Sequence, residues 1–327
     1  MRYNLAGMHY TAVIKRAITV LGIIGVFFVG FMVGSSPTQL ENRFKNDAMQ
    51  YPYISQRVLN SHTNDMIINL TPLREVMNAR YNEKKVPLGV YFEYLPTGSS
   101  IGINDQYQVE IGSLSKVPAV MAGYRQIETG NLHKDTLLTI KKEYLNNQFG
   151  DLWKRGEDTQ LKVGELIDYT LKKSDNTAAN TIVAALPKGA LEEVFSALDL
   201  PKSRVGPYPV MSPKSYASVF RNLYLASYVS RDSSQEILER LTKTDFKDKL
   251  PAGVPVDVNV SHKIGVFRVK NVQDIYSDCG IVYAPSRPYL LCVMAAADED
   301  TARAEIAAYS KMVYSYIRNV KPANTAR

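Results

Sequence analysis

The sequence predicts an α+β fold, in which a mainly antiparallel sheet is flanked by helices and an all-helical subdomain is inserted. A strand pair over "VPLGVYFEYLPTGSSIGIN" precedes a block of helices, and three strands with a closing helix follow that block. Strands so distant along the chain must share one sheet to bury their apolar sides. A hydrophobic content of 45% and a charged content of 22% are ordinary for a globular chain that buries a sizeable core.

The first half of this pattern begins with a helix. Thr71 followed by proline opens "TPLREVMNARYN", which is a helix-entry signal. The strand pair follows, with "PTG" as its turn. After "GSLSK", apolar residues recur at helical spacing and predict a buried helix that Gly130 can end. These residues are Val117, Val120, Met121, Tyr124 and Ile127.

The second half is predicted in the same way. "LKVGELIDYTLKKSDNTAANTIVAAL" indicates two helices broken at "KKSDN", because Ser, Asp and Asn favour caps and turns. Helices are also predicted over "GALEEVFSAL", "SPKSYASVFRNLY" and "SSQEILERL", with Ser212 and Pro213 starting the middle one. Strands follow over "VNVSHKIGVF", "DCGIVYA" and "YLLCVMAAA", with "PSRP" as a hairpin turn, before a helix at about 301–318.

The N-terminal segment is long, apolar and uncharged from Ala17 to Leu40, and it follows Lys15 and Arg16. About 20 apolar residues span a bilayer as a helix, and the positive flank stays in the cytoplasm. We therefore expect a single-pass protein of the cell membrane with its globular domain outside the cytoplasm. A cleaved signal peptide ending near "VGSS", and hence a secreted protein, is the alternative. The expected parts are a cytoplasmic N-terminus 1–16, a transmembrane signal-anchor 17–35, a stalk 36–65, a globular domain 66–320 and a tail 321–327.

Charge and metal-ligand patterns narrow the possible partners. The net charge of +7 is spread along the chain without a dense basic tract, so no nucleic-acid partner is expected. Two cysteines and four scattered histidines form no zinc-type spacing, so neither a metal site nor a cofactor is expected.

Three short motifs carry the chemistry. Ser113 and Lys116 form S-x-x-K, Ser174 opens "SDN", and Lys263 opens "KIG", which is close to K-T-G. Each motif alone is weak, since a helix start, a helix cap and a strand ending at a glycine turn produce the same letters. All three occur in order and on the expected elements, which makes their combination specific.

From about Leu70 to Val320 the chain resembles the class A β-lactamase and penicillin-binding serine hydrolases. "LKVGELIDYTLKKSDNTAAN" is the most specific segment. The resemblance implies an acyl-enzyme on Ser113 and an oxyanion hole from the backbone N–H groups of Ser113 and Val266. It implies a peptidoglycan stem peptide or a β-lactam as partner, with Lys263 attracting a substrate carboxylate. The expected substrate-binding residues are Asn176, Lys263, Ile264, Gly265, Val266 and Trp153.

The residue types agree with nucleophilic catalysis. A serine hydroxyl needs a base, and a lysine acts as one only when burial or a neighbouring cation lowers its pKa. We expect the apolar "VPAV" to bury Lys116 and Lys263 to be that cation. Ser174 is expected to relay a proton to the leaving nitrogen. Ser115 is set aside as the nucleophile, because Pro118 stands where its lysine should be.

Two further residues have structural alternatives to a role in the site. Asp175 is expected to hold its own loop rather than to act in the reaction. Trp153 can wall the pocket, but packing is the more common role of a lone tryptophan.

Two departures from the family pattern bear on turnover. The family's loop glutamate, which activates water to release the acyl group, has no counterpart, since no Asp or Glu occurs from Leu200 to Arg231. Ile264 stands where a hydroxyl residue usually binds the substrate carboxylate. Three hypotheses follow: an acyl hydrolase or transferase acting on D-Ala-D-Ala-like peptides or β-lactams, a β-lactamase with non-standard deacylation, and a non-catalytic wall-binding or sensor module.

Cys279 and Cys292 lie on the two arms of the last predicted hairpin. A disulfide is compatible with an exterior compartment. Both residues are flanked by apolar side chains, and buried free cysteines are common, so free thiols are favoured.

Overall fold

The computed structural model describes residues 46–55, 68–205 and 208–321. The described residues fall into two units, 46–52 and the remainder, and residues 46–50 of the first are helical. The expected transmembrane segment 17–35 lies outside the described residues, as do the N-terminus 1–16 and all but the first residue of the tail. Within the described ranges, no helix is both long and apolar enough to cross a membrane.

A five-stranded antiparallel sheet forms the centre of the second unit. It contains β1 (Leu88–Tyr94), β2 (Ser99–Ile103), β8 (Val260–Phe267), β9 (Ile275–Val282) and β10 (Tyr289–Ala296) in the order β2-β1-β10-β9-β8. The N-terminal hairpin pairs with the C-terminal strands through β1 and β10, with Leu88 opposite Ala295. The predicted α+β class and its shared sheet are confirmed.

One side of the sheet is covered by α1 (Thr71–Lys84) and α8 (Glu299–Asn319). Alternate residues of the strands point to this side, as the period of two in a strand requires. They form one apolar core with the buried stripe of α8. Its members include Val90, Phe92, Tyr289, Leu291, Val293, Ile306, Tyr309 and Val313.

The helical block lies between β2 and β8 in the chain. It comprises α2 (Lys116–Glu128), α3 (Val163–Lys172), α4 (Asn176–Ala185), α5 (Ala190–Ala197), α6 (Pro213–Leu225) and α7 (Arg231–Thr242). α6 packs on the other side of the sheet, and Ser212 caps it by accepting the Ser215 N–H at 3.2 Å. The predicted helices are therefore confirmed, with starts and ends shifted by a few residues.

Five short strands in this block were not predicted. They are β3 (Val109–Glu110), β4 (Leu137–Thr139), β5 (Gln160–Lys162), β6 (Arg204–Val205) and β7 (Tyr208–Met211), and they pair as β3-β7-β6 and β4-β5. Strands of two to four residues are too short to show a period of two, so the sequence carried no signal for them.

Three residues of the segment expected as a stalk pack on the globular unit. Tyr53 donates its N–H to Gln235 Oε1 at 2.9 Å and accepts the Tyr283 hydroxyl on its carbonyl at 3.0 Å. Ile54 is 2% exposed, and the Ser55 N–H reaches the Tyr224 carbonyl at 2.6 Å. The described globular unit therefore includes residues N-terminal to the expected boundary at 66.

The expectation of free cysteines is wrong, because Cys279 and Cys292 form a disulfide. The register of β9 and β10 places the two residues directly opposite each other, with their Cα atoms 3.9 Å apart. Both side chains are fully buried. The apolar residues that flank each cysteine, and that suggested free thiols, belong to the buried strands β9 and β10 that the disulfide joins.

Candidate active site

Ser113 lies in a short 3₁₀ turn, Gly112–Ser115, that leads directly into α2. Gly112 has a φ of +50°, and a Cβ built on it would lie 2.3 Å from the Val266 carbonyl oxygen. Only glycine combines this backbone conformation with so close an approach. The turn therefore holds the Ser113 backbone against strand β8, within reach of the groups on that strand.

Lys116, the first residue of α2, is the centre of the polar cluster. Its Nζ lies 2.9 Å from Ser113 Oγ, 2.6 Å from Asn176 Oδ1 and 3.3 Å from Ser174 Oγ, and it also contacts the Ser174 carbonyl. The side chain is 6% exposed. All four acceptors belong to residues that the sequence singled out, and the S-x-x-K and S-D-N motifs therefore converge on this amine.

Burial lowers the pKa of Lys116 to about 7, and the nearby Asp175 carboxylate opposes part of that shift. A large fraction of this lysine is then neutral at neutral pH and can accept a proton. When it is neutral, Ser113 donates its hydroxyl proton to Nζ along the same 2.9 Å contact. The cluster thus supplies the nucleophile and its base.

Ser174 lies in the break between α3 and α4 in a left-handed conformation, with a φ of +55°. Non-glycine residues in this region are held there by their surroundings, and they concentrate at functional sites. The side chain is fully buried, and its hydroxyl lies between the two lysines, 2.7 Å from Lys263 Nζ. This is the position that a proton relay requires.

Asp175 has the structural role that the sequence predicted. Its carboxylate caps α4 by accepting the Ala178 N–H at 2.9 Å, and it accepts the Leu152 N–H at 2.8 Å. Gly150 has a φ of +87°, and a Cβ there would lie 2.1 Å from the same carboxylate. Asp175 therefore ties the 145–152 loop to the start of α4.

Lys263 lies on β8, the edge strand nearest to the Ser113 turn, and it is 1% exposed. Burial, and then repulsion from Lys116, lower its pKa well below the usual value, while Asp278 opposes the shift. Burial is thus the main cause for both lysines, whereas the sequence argument assigned the effect on Lys116 partly to Lys263. Lys263 donates a hydrogen bond to the Ser174 hydroxyl and lines neither described cavity, so in this structure it orients that hydroxyl.

The Val266 N–H points toward the Ser113 turn. The Tyr283 N–H donates to the Asn259 carbonyl at 3.0 Å, so Asn259 and Tyr283 form a hydrogen-bonded pair at the start of the β8–β9 ladder. Hydrogen-bonded and non-bonded pairs alternate, so Val266 falls in a non-bonded pair and its N–H faces away from β9. A Cβ built on Gly112 would lie 3.2 Å from Val266 N. The geometry agrees with the oxyanion hole that the resemblance implies.

A cavity of about 940 Å³ opens over Ser113 and Lys116. Among the predicted substrate-binding residues, Asn176 and Val266 line it. Ile264 lines a neighbouring cavity of about 580 Å³, which also includes Val266, and Gly265 lines neither. The Gly265 backbone instead packs on the Ser113 turn, where a Cβ would lie 2.6 Å from the Ile111 carbonyl.

Trp153 lines neither described cavity, and two phenylalanines that the sequence argument missed occupy the wall instead. Phe149 and Phe246 have ring centroids 5.7 Å apart, and both line the second cavity. The Phe149 ring lies 5.9 Å from Lys116 Nζ, and the Phe246 ring lies 5.9 Å from Lys263 Nζ. Neither residue stands in a motif or next to one along the chain, so no sequence signal pointed to it.

In the family, the loop at this place in the chain carries the water-activating glutamate. Here the corresponding residues that line the large cavity are Lys202, Ser203, Arg204 and Pro209. None of these side chains is a carboxylate. Among the described residues that line this cavity, Glu192 of α5 is the one carboxylate, and it is exposed. The described walls therefore place no buried carboxylate beside Ser113.

Comparison with known proteins agrees with the fold and the site. A family model described as the β-lactamase enzyme family matches residues 72–317. A β-lactamase of Mycobacterium tuberculosis (strain H37Rv) is 25% identical over 238 residues, covering 67% of this chain and 74% of the relative. β-Lactamase 3 of Bacillus cereus is 24% identical over 242 residues, covering 69% and 73%.

Solved structures show the same fold. PBP-A superimposes with a TM-score of 0.69 at 22% identity, covering 75% of this chain and 96% of that one. A PBP-A variant solved as an acyl-enzyme with penicillin G gives a TM-score of 0.68, and a β-lactamase from Chitinophaga pinensis gives 0.68 at 22% identity, covering 75% and 99%. The family match, together with the clustered Ser113, Lys116 and Ser174, establishes that this chain belongs to the β-lactamase enzyme family and is a serine hydrolase.

Proposed function

We propose that the protein is an envelope-anchored serine acyl hydrolase or transferase that forms an acyl-enzyme on Ser113. Its donors are D-Ala-D-Ala-like peptides or β-lactams. The observation that carries the proposal is the contact of 2.9 Å between Ser113 Oγ and the Nζ of a buried lysine. A pKa of about 7 lets that amine act as a base at neutral pH.

Acylation follows from the contacts. Neutral Lys116 takes the Ser113 proton, and Oγ attacks the substrate carbonyl carbon. The carbonyl oxygen becomes an oxyanion between the N–H groups of Ser113 and Val266. As it collapses, the C–N bond breaks, and Ser174 donates its hydroxyl proton to the leaving nitrogen. Ser174 regains a proton from Lys116 through their 3.3 Å contact.

The fate of the acyl group distinguishes members of the superfamily. No carboxylate occurs from Leu200 to Arg231, so the loop that would activate a water lacks its base. We infer a long-lived acyl-enzyme that is released slowly by water or transferred to an amine. The acyl-enzyme of a PBP-A variant with penicillin G supports β-lactams as reporters of this step.

The envelope location is part of the proposal. The uncharged run from Ala17 to Leu40 follows two basic residues, which favours a single-pass anchor with the catalytic domain outside the cytoplasm. The disulfide between Cys279 and Cys292 supports an oxidising compartment, because such bonds persist there. Peptidoglycan stem peptides are the amide donors that such a location offers.

A second candidate is a β-lactamase that deacylates by another route. The curated relatives are named β-lactamases, and Glu192 is a carboxylate on the described cavity wall. A non-catalytic sensor, the third hypothesis, is disfavoured because the buried Lys116 amine keeps its contacts with Ser113, Ser174 and Asn176.

The test uses purified full-length protein and a fluorescent penicillin. We expect one covalent label per chain, with peptide mapping placing it on Ser113, and no label in Ser113→Ala. Ser115→Ala is the matched control and keeps the label, since its hydroxyl bonds the Gly112 carbonyl and has no lysine partner. Absence of any adduct with both penicillin and a D-Ala-D-Ala thioester would contradict the proposal.

A further inference from the structure

The large cavity extends well beyond the groups that do the chemistry. From Asn176 it follows one face of α4, where Ala179, Asn180 and Val183 also line it. These positions are three, four and seven residues after Asn176, so they share one side of the helix. Seven residues of α-helix span about 10 Å. The cavity thus provides a track of about that length leading away from the reaction centre.

Two helices, α4 and α5, contribute apolar side chains to the wall of this track. Leu191 and Phe195, four residues apart on α5, line the cavity, while Ala190 and Val194 of the same helix are buried. α5 therefore presents the apolar Leu191 and Phe195 toward the cavity, beside the exposed Glu192, as well as an apolar side toward the protein interior. Val183 is 37% exposed. Apolar side chains that face a cavity rather than the core indicate a binding surface for an apolar group.

The reaction geometry determines which part of a substrate lies there. The oxyanion groups hold the carbonyl oxygen at the Ser113 turn, and the leaving nitrogen must face Ser174. The rest of the acyl group, attached to the carbonyl carbon, then has the part of the large cavity along α4 open to it. The leaving-group half has its own space in the second cavity, beside Ile264 and Phe246.

We propose that the face formed by Ala179, Val183, Leu191 and Phe195 is a subsite for an apolar acyl group about 10 Å long, such as a medium-chain or arylalkyl acyl group. This inference rests on the proposed function, because it needs an acyl-enzyme on Ser113. Asn146, Asn176 and Asn180 line the same cavity and supply amide groups for the polar linkage before the apolar part.

The experiment uses penicillins that share one nucleus and differ only in an acetyl, hexanoyl or decanoyl side chain. The second-order rate constant of acylation is measured by intact mass. We expect the decanoyl compound to react at least about tenfold faster than the acetyl compound, since methylene groups in an apolar pocket discriminate on this scale. Val183→Asp and Phe195→Ala are each expected to reduce that preference at least about threefold.

Val256→Asp is the matched control, because Val256 is fully exposed and lines neither described cavity. It should retain the wild-type preference. Thermal unfolding shows whether each variant folds. If Val183→Asp does not fold, the result for Phe195→Ala decides. Equal rates for the three wild-type adducts would overturn the subsite and leave the proposed function standing. Absence of every adduct would overturn the proposed function itself.

Discussion

The two sides of the large cavity differ in how they are built. On the side formed by α2, the start of α4 and β8, polar groups contact one another at 2.6–3.3 Å, and the two lysines and Ser174 among them are buried. On the side formed by α5 and the described residues 202–204 and 209, the lining contains apolar and basic side chains, Ser203 and the exposed Glu192. One side is organised for attack on a carbonyl, whereas the other lacks the group that would activate water.

This difference separates forming an acyl-enzyme from releasing it. Acylation needs a base that is neutral at the working pH, and burial of Lys116 supplies one. Hydrolysis needs a base that can activate a water next to the ester carbonyl. Since a fold can retain one half without the other, family membership does not by itself determine turnover.

The largest expected effect comes from removing the base. Lys116→Ala should slow acylation about 10²–10⁴-fold, because a positioned general base contributes on that scale. The measurement is the rate of adduct formation with a penicillin by intact mass. Lys154→Ala, at an exposed lysine that lines neither cavity, should react as the wild type does. If Lys116→Ala were acylated at the wild-type rate, Lys116 would not be the base.

The pH dependence of the acylation rate tests the same role of Lys116. The pKa of Lys116 is lowered to about 7, so the neutral form that accepts a proton gains population as the pH rises through 7. The acylation rate should therefore rise about tenfold per pH unit below 7 and level off above it. A rate that is constant, or that falls, between pH 5.5 and 8 would exclude Lys116 as the base.

The disulfide joins the adjacent strands β9 and β10, and its removal should lower stability. Cys279→Ser combined with Cys292→Ser should lower the free energy of unfolding by about 2–4 kcal/mol, as expected for a short closed loop. Urea unfolding measures this change. A reducing agent should bring the wild type to the stability of the double variant and leave that variant unchanged. If treatment with the reducing agent leaves the intact mass of the wild type unchanged, its two cysteines are free thiols.

Restoring the family hydroxyl should have a smaller effect. Ile264→Thr adds a donor where the carboxylate of the leaving-group half is expected, and Ile264 lines the second cavity. One hydrogen bond to a charged group is worth about 1.5–3 kcal/mol, so the second-order acylation constant should increase roughly ten- to hundredfold. Ile264→Val has the same branching without the hydroxyl and should show no gain. A gain in both variants would indicate packing rather than recognition.

The smallest effect is expected on the α5 side. Glu192→Gln should leave the lifetime of the acyl-enzyme unchanged, because the exposed Glu192 is not among the partners of Ser113 and Lys116. The decay of the adduct after removal of free penicillin measures this lifetime. Glu193→Gln, at the neighbouring exposed position, is the control. Slower decay in Glu192→Gln alone would identify Glu192 as the water-activating base and favour the β-lactamase hypothesis.

Much of the fold was predictable because its elements are long and strongly patterned. The buried stripe of α2, the break at Ser174 and the Ser212–Pro213 start of α6 all carry local signals that tertiary packing did not override. The disulfide was not predicted, since free and bonded cysteines have the same apolar neighbours. It became evident only from the register that pairs Cys279 with Cys292.

The site was predictable in its chemistry and less so in its walls. Ser113, Lys116, Ser174 and Asn176 cluster as the motifs indicated. Burial of Lys263 beneath Ser174 depends on the packing of β8 against the Ser113 turn, which no sequence pattern reports. Phe149 takes the wall position expected of Trp153 because the 145–152 loop is oriented by Asp175, a contact between distant residues.

We expect this site to be acylated readily and to release its acyl group slowly. Rapid mixing of the full-length protein with excess nitrocefin tests it most directly, because ring opening is seen as an absorbance change. We predict a burst equal to one chromophore per protein chain, followed by a steady state at least about a hundredfold slower. Linear turnover without a burst, or no reaction at all, would contradict this account.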